Sequence, residues 1–157
     1  AGLRETAGHY AQFNGDGLMA IYGLQSGVEA GCREALEGAV ALNLRLARLN
    51  ETLGPELGQS LRMGIGIHCG DAIVGTMGPP DAPTLSAVGD NVNIAARLEA
   101  LTKTYECSVV VSRTVADTSG LDLNRFALHK APIRGRDKEL EIFAVDDTAK
   151  LAEILDL

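Results

Sequence analysis

The chain has 157 residues, of which 46% are apolar and only 4% aromatic, and it carries a formal net charge of −7 at pH 7. This length suits one domain with a real core. The acidic balance argues against non-specific nucleic-acid binding and against adhesion to an anionic membrane. Three widely spaced cysteines without a CxxC pair indicate reduced thiols, and no segment approaches the roughly 20 apolar residues of a membrane-spanning helix. We therefore expect a cytoplasmic globular domain.

The first elements form a predicted hairpin. Residues 9–13 and 18–22 are short β-prone runs on either side of Asn14-Gly15-Asp16-Gly17, the pattern of a tight hairpin turn. Asp16 at its tip is a candidate Mg²⁺ ligand, because Mg²⁺ prefers a few hard oxygen donors together with phosphate oxygens. The same four residues are also ordinary turn residues, and this segment alone favours that simpler interpretation.

A long helix and two strands follow. Apolar residues at spacings of three and four predict a helix from Cys32 to Leu53 that ends at Gly54-Pro55. Strands are predicted over residues 61–68 and 72–77, with two glycines in the first that let another backbone come close. His68 is interpreted as a hydrogen-bonded structural histidine rather than as a catalytic base.

The segment Ser86–Arg97 is interpreted as a loop that turns into a helix. Asp90 is a good N-cap, and residues 92–101 are rich in helix formers. Asn93 and Arg97 stand four residues apart and share one helix face. That arrangement suits a phosphate, since the helix N-terminus already favours an anion. The alternative is an exposed first turn without a ligand, which this segment alone favours.

The C-terminal third completes the predicted fold. Strands are predicted over residues 108–111, 125–128 and 140–145, and short helices over 114–119 and 147–157. Arg134-Gly135-Arg136 is a basic doublet that suits a polyphosphate, although a solvated loop has the same composition. Strand pairs that alternate with two good helices predict an α+β fold, with a mostly antiparallel sheet and helices on its face.

Five segments, in order along the chain, strongly resemble the class III nucleotidyl cyclase catalytic domain in its bacterial form. They are Phe13–Ala20, Gly64–Gly70, Val74–Gly78, Val88–Glu99 and Arg134–Arg136. The resemblance covers about residues 9–145 and implies that family's ferredoxin-like α+β fold. It divides the chain into a catalytic domain over residues 1–146 and a tail over 147–157.

The resemblance also implies a reaction and a site. Family members form 3′,5′-cyclic nucleotides from ATP or GTP and release pyrophosphate, at two sites in the interface of a head-to-tail homodimer. Asp16 matches the second of two aspartates that hold two Mg²⁺ or Mn²⁺ ions, and its site partners come from the other subunit. Asn93 matches the residue that orients the ribose, and Arg97 the one that stabilises charge on the α-phosphoryl group.

Three further positions bear on the substrate. Arg134 falls where the family usually has a lysine that grips the terminal phosphates, and Gln12 and Ser86 fall on the two positions that read the purine edge. Adenylyl cyclases usually have lysine and then threonine or aspartate at these two positions, and guanylyl cyclases glutamate and cysteine. A glutamine amide can pair with either purine, and Ser86 is close to threonine, which favours ATP. A guanylyl cyclase, or a degenerate domain that binds nucleotide or dimerises without catalysis, remains the alternative.

The first metal aspartate of the family belongs on a strand that would precede residue 1. We therefore expect the chain to lack an N-terminal strand and helix, and to supply one of the two metal carboxylates. The parent protein is expected to carry sensor or membrane modules beyond this segment.

Overall fold

The computed structural model describes residues 8–14, 16–133 and 139–157, with the backbone alone over 9–14. Within these ranges the chain is a mixed α+β structure, as the sequence predicts. The strands are β1 (His9–Asn14), β2 (Gly17–Ile21), β3 (Ile65–Ile67), β4 (Ile73–Met77), β5 (Thr84–Val88), β6 (Val109–Ser112), β7 (Ala127–Ala131) and β8 (Leu140–Val145). The helices are α1 (Val28–Leu57), α2 (Asp90–Thr104), α3 (Arg113–Ser119) and α4 (Thr148–Leu155).

A four-stranded sheet in the order β3-β6-β8-β7 lies at the centre. Its β3–β6 pair is parallel and the other two pairs are antiparallel. Strand β6 is central, and its residues Val109, Val110 and Val111 are fully buried. Successive side chains on a strand point to opposite faces, so an unbroken valine run indicates a sheet that is covered on both sides.

Each face of this sheet carries its own core. On one face, Val109, Val111 and Phe143 pack with buried residues of α1, α3 and α4. On the other face, Val110 and Ile142 pack against Ile94 and Leu98 of α2. The described helices therefore cover both faces of the sheet, and α2 packs on the second face. None of the helices in the described ranges is long and apolar enough to cross a membrane.

Two hairpins stand beside the central sheet. Strands β1 and β2 pair antiparallel, and Asn14 pairs with Gly17 across a turn that contains Asp16, as predicted. The register shifts between Tyr10 and Gln12, which is the signature of a β-bulge. Strands β4 and β5 form the second hairpin, and β1 lies against β5. The two hairpins are therefore neighbours.

The predicted end of the long helix is wrong. Helix α1 continues through Pro55 and ends at Gly58, which adopts a left-handed conformation with φ of 66° and donates its N–H to the Gly54 carbonyl. Proline removes one backbone hydrogen bond, to the carbonyl of Glu51 four residues earlier. Because Glu51 is exposed, water can bond that carbonyl instead, and the helix is not interrupted.

The strand predicted over residues 61–68 is also shorter than expected. Only Ile65–Ile67 forms β3, because pairing with β6 spans just three residues. Leu61 is held instead by α1, where the Asn50 amide bonds both its N–H, at 2.8 Å, and its carbonyl, at 2.9 Å. The strand expected at residues 125–128 begins at Ala127, where pairing with β8 begins.

Candidate active site

Helix α2 presents the predicted anion-binding residues from a firmly anchored position. Ile94 and Leu98 are at most 1% exposed and form its buried stripe. Asn93 and Arg97 each precede one of these residues, so their side chains lie about 100° around the helix from the stripe. Both are exposed. The pair is therefore carried side by side on a rigid element, at the edge of the packed face.

The start of α2 differs from the prediction in one respect. Gly89, not Asp90, is the N-cap, and Asp90 is the first helical residue. Gly89 has φ of 146°, a backbone conformation that L side chains rarely adopt, so the chain turns into the helix one residue earlier than expected. An acidic residue in the first turn still interacts favourably with the helix dipole.

The sheet and α2 meet at two glycines, as the sequence predicted. A Cβ at Gly66 would overlap the Ala95 carbonyl oxygen and the Glu99 amide nitrogen, and one at Gly64 would overlap the Thr102 hydroxyl. The backbone of β3 therefore lies directly on the backbone of α2. This close contact sets how far Asn93 and Arg97 stand from the sheet.

The polar groups on α2 are available to a ligand. Neither Asn93 nor Arg97 forms a side-chain hydrogen bond or an ion pair with another residue of the described ranges. A guanidinium presents five N–H donors in a planar fork that matches a phosphoryl group. The arrangement can therefore bind a phosphate ester at the exposed side of α2.

Ser86 lies on a strand, and the loop expected there is wrong. Residues 84–88 form β5 because each pairs in register with β4, and Ser86 stands opposite Gly75. Ser86 is 7% exposed. A Cβ at Gly75 would have no heavy atom within 4 Å, so there is open space on the hairpin beside Ser86. Strand β5 leads into α2 through Gly89, so Ser86 and Asn93 lie on consecutive elements of the chain.

Asp16 and Gln12 lie on the neighbouring hairpin. Asp16 is exposed in the β1–β2 turn, and the backbone of Gln12 pairs with Met19. Because β1 lies against β5, the strand of Gln12 and the strand of Ser86 are brought together within one chain. Arg134, with Gly135 and Arg136, lies outside the described residues.

The donor set at Asp16 fits a hydrated divalent cation. A single exposed carboxylate offers hard oxygens, and Mg²⁺ keeps several waters and takes further oxygens from phosphates. In the described ranges no group of three or more His, Cys, Asp or Glu residues converges to form a complete metal cage. Asp16 can therefore contribute one carboxylate to a cation site that needs further oxygen ligands.

His68 is a hydrogen-bonded structural histidine, as predicted, and its partners were not foreseen. Its Nδ1 lies 2.8 Å from Ser112 Oγ, and its Nε2 lies 3.0 Å from Asn91 Oδ1. The Asn91 amide nitrogen donates to the carbonyl oxygen of Asp71 at 2.9 Å. The sequence signal for Asn91 was only its position in the first turn of α2, and Ser112 had none.

The three cysteines are free, as expected. Cys32 on α1 and Cys69 after β3 share a hydrogen bond, which lowers the pKa of Cys69 and raises that of Cys32. The Cys69 sulfur also lies 3.8 Å from Thr118 Oγ1 on α3. Burial raises the pKa of the Cys107 thiol. Cys69 is therefore the thiol most disposed to ionise.

Comparison with known proteins identifies the family. The model of the adenylate and guanylate cyclase catalytic domain matches residues 5–146. An adenylate cyclase from Anabaena cylindrica is 27% identical over 151 residues, with 91% of this chain and 29% of that protein covered. Adenylate cyclase 1 from Rhizobium meliloti is 32% identical over 139 residues, with 88% and 21% covered.

A solved structure agrees with these relatives. The crystal structure of the guanylyl cyclase Cya2 superposes with a TM-score of 0.77 at 26% identity, covering 92% of this chain and 72% of that chain. The chain spans less than a third of the length of the two adenylate cyclases. Members of the matched family generally use divalent metal ions. The chain belongs to the adenylate and guanylate cyclase catalytic domain family.

Proposed function

We propose that this chain is the catalytic domain of an adenylate cyclase that converts ATP into 3′,5′-cyclic AMP and pyrophosphate for intracellular signalling. The family match over residues 5–146, together with the exposed Asn93 and Arg97 on α2, carries the proposal. We assign ATP rather than GTP as the substrate because two relatives are named adenylate cyclases. In addition, the serine at position 86 is chemically similar to the threonine that adenylyl cyclases often have there. The free thiols support a reducing, cytoplasmic compartment.

In the proposed reaction the 3′-hydroxyl of ATP attacks the α-phosphorus. A new O–P bond forms, the bond to the leaving pyrophosphate breaks, and the hydroxyl proton passes to water. Arg97 donates hydrogen bonds to the α-phosphoryl oxygens as they gain charge, and removing such a donor typically raises the barrier by about 2.7–4 kcal/mol. Asn93, one helical turn earlier, holds the ribose so that its 3′-hydroxyl faces the phosphorus.

Asp16 is proposed to hold the divalent cations of the site, two for each nucleotide. Bound Mg²⁺ or Mn²⁺ would neutralise the triphosphate and make the 3′-hydroxyl easier to deprotonate. The exposed position of Asp16 at a hairpin turn leaves room for the phosphate oxygens and waters that Mg²⁺ requires.

Gln12, Ser86 and Arg134 complete the proposed nucleotide site. Gln12 and Ser86 read the purine edge, which is supported by the contact between their strands, β1 and β5, and by the space beside Gly75. Arg134 grips the terminal phosphates through its guanidinium. The amide of Gln12 can turn either way, so purine choice would depend on how its neighbours orient it.

A second copy of the chain is the proposed partner. Ile73, Met77 and Val88 are 75%, 59% and 51% exposed, and strand alternation places them on the same face of the β4–β5 hairpin as Ser86. An exposed apolar strip of this kind favours burial in an interface. In a head-to-tail dimer, this contact would bring Asp16 of one protomer towards Asn93 and Arg97 of its partner.

The first test is turnover by the full-length protein with Mg²⁺ and ATP. Arg97→Ala is expected to lower kcat by about 10²–10³-fold. Asp16→Asn keeps the turn chemistry and is expected to abolish metal-dependent turnover. Lys103→Ala, exposed near the end of the same helix, and Glu56→Gln on α1 are the matched controls and should behave as wild type. Full turnover in both site variants would rule out the proposal, and nucleotide binding without product would favour the degenerate alternative.

A mixing experiment tests the shared site. Asp16→Asn and Arg97→Ala proteins, inactive alone, are co-refolded in equal amounts. Half of the dimers are then mixed, each with one intact site, so about a quarter of wild-type activity should return. No recovery despite mixed-dimer formation would contradict a site built from two chains.

The similarity to a guanylyl cyclase of known structure makes GTP the second candidate substrate. A competition assay with equal ATP and GTP separates the two by the ratio of cyclic products, which reports the ratio of kcat/KM values. Predominant cyclic GMP would replace the adenylate assignment with the guanylate one.

A further inference from the structure

A chain of directed hydrogen bonds connects the central sheet to the first turn of α2. The Asp71 carbonyl can only accept, so the NH₂ end of the Asn91 amide faces it and Oδ1 faces His68. His68 Nε2 must then carry a proton. In the neutral imidazole Nδ1 is then an acceptor, and the Ser112 hydroxyl donates a hydrogen bond to it over 2.8 Å. The order is Ser112 to His68 to Asn91 to Asp71, which we call the relay.

The relay is built into the packing. Ser112, at the end of β6, has no exposed surface, and His68 follows directly after β3. A Cβ at Gly70 would overlap the Asn91 amide, with Asn91 Cγ only 2.5 Å away, so glycine at 70 is what lets Asn91 lie against this loop. In this way His68 and the loop after β3 hold one side chain in the first turn of α2, and Ser112 on β6 holds His68 in turn.

The position of that side chain matters for the proposed chemistry. Asn91 precedes Asn93 by two residues and Arg97 by six, on the same rigid helix. The buried side chains of α2, Ile94 and Leu98, begin about one helical turn after Asn91 and make apolar contacts. Apolar contacts have no preferred direction, so they oppose sliding or rotation of the helix less than directed hydrogen bonds do. The relay is therefore a directional restraint on the end of α2 that leads from β5.

We propose that His68 and Asn91 are positioning residues, which fix the first turn of α2 and through it hold Asn93 and Arg97 in their reactive placement. The inference rests on the proposed function for its catalytic consequence. It requires no contact between the relay and the nucleotide. A relay that only stabilised the fold would alter stability without altering the chemistry of the folded molecules.

The test uses His68→Ala, Asn91→Ala and the double variant of the full-length protein, with kcat and KM for ATP measured per folded molecule. Each single variant should lower kcat by about tenfold or more, since small misplacement of reacting groups is costly, while KM changes by less than about threefold. The double variant should be no worse than the worse single one, because either change breaks the same relay. Asn91→Asp, which keeps the acceptor for His68, should recover part of kcat.

Asn50→Ala is the matched control, since its amide also makes two hydrogen bonds to the backbone, at Leu61, away from α2. It should lower the melting temperature and leave kcat unchanged. Kinetic effects in the relay variants no larger than in this control, or additive effects in the double variant, would overturn the proposal.

Amide hydrogen exchange provides a readout independent of turnover. Exchange in the first turn of α2 should accelerate by about tenfold or more in His68→Ala and Asn91→Ala but not in Asn50→Ala. Unchanged exchange there would overturn the relay as a restraint. A wild-type protein that forms no cyclic nucleotide would count against the proposed function alone, and exchange would still decide whether the relay holds α2.

Discussion

Gly66 on β3 is where the packing of the sheet most directly controls α2. A Cβ at this position would overlap the Ala95 carbonyl oxygen and the Glu99 amide nitrogen, and would lie 2.8 Å from the Leu98 carbonyl carbon. All three are backbone atoms of α2, which cannot rotate away as a flexible side chain can. Gly66→Ala is therefore expected to push the helix off the sheet.

The size of the effect follows from this geometry. Ordinary contacts begin near 3.4 Å, so the helix must move by about 0.6 Å to clear the Leu98 carbonyl carbon alone, and by more to clear the two overlapping atoms. Overpacking by one methyl group costs about 1–3 kcal/mol. For a chain of this size that would lower the melting temperature by about 2–12 °C. Misplacement by about 1 Å can cost 10²-fold in rate, so moving the helix of Asn93 and Arg97 is expected to lower kcat by about tenfold or more.

The assay compares melting temperature and kcat of the full-length Gly66→Ala protein with wild type. Gly54→Ala is the control, because a Cβ at Gly54 on α1 would have nothing within 4 Å. Alanine favours a helix by up to about 1 kcal/mol over glycine, so this variant should be more stable at unchanged kcat. Wild-type stability in Gly66→Ala would refute the close contact of β3 with α2. Lost stability at wild-type kcat would refute the link from that contact to the chemistry.

Three further predictions concern the thiols, a helix cap and the core. Alkylation of Cys69 by iodoacetamide should reach half its maximal rate below about pH 8.5, the usual thiol value, and Cys32→Ala should raise that midpoint by removing a hydrogen bond to the thiolate. Because the folded protein releases the Cys69 proton at lower pH than the unfolded chain does, the free energy of unfolding should rise with pH between those two pKa values, and Cys69→Ala should abolish this rise. Asp147→Ala removes the side-chain cap of α4, in which the Ala149 N–H donates to the Asp147 carboxylate over 2.9 Å. It should lower the free energy of unfolding, measured with denaturant, by about 0.5–2 kcal/mol and leave kcat unchanged. An unchanged free energy of unfolding would show that the cap is solvated. Leu36→Ala, at a fully buried site on α1, should lower the free energy of unfolding by about 2–5 kcal/mol. Leu49→Ala, at a site 43% exposed on the same helix, should lower it far less. Equal losses in the two variants would contradict the described core.

Local patterns were sufficient for much of the fold. The β1–β2 hairpin, the short helices and β8 were predicted near their observed bounds, because turn residues and apolar periodicity act over a few residues. The errors lie where the outcome depends on surroundings that the segment itself does not encode. Pro55 lies where water can replace the lost hydrogen bond, and β5 exists because β4 lies beside it. A strand's length depends on its partner, which the segment itself does not record.

The candidate site divides in the same way. The pairing of Asn93 with Arg97 on one helix face follows from their spacing alone. The relay does not, since His68 and Ser112 are 44 residues apart and meet only because β3 pairs with β6. The thiol pair of Cys32 and Cys69 likewise depends on how α1 packs against the sheet.

The sequence by itself determined the family motifs, the polar stripe of α2 and the close-contact glycines, because each is a matter of residue type and short spacing. The tertiary structure alone decided that helices cover both faces of the sheet, that Ser86 is buried on a strand, and that His68 and the loop after β3 hold the first turn of α2. These depend on strand order and on contacts between distant segments. Such contacts form only when burial of the whole core offsets the entropy of bringing those segments together.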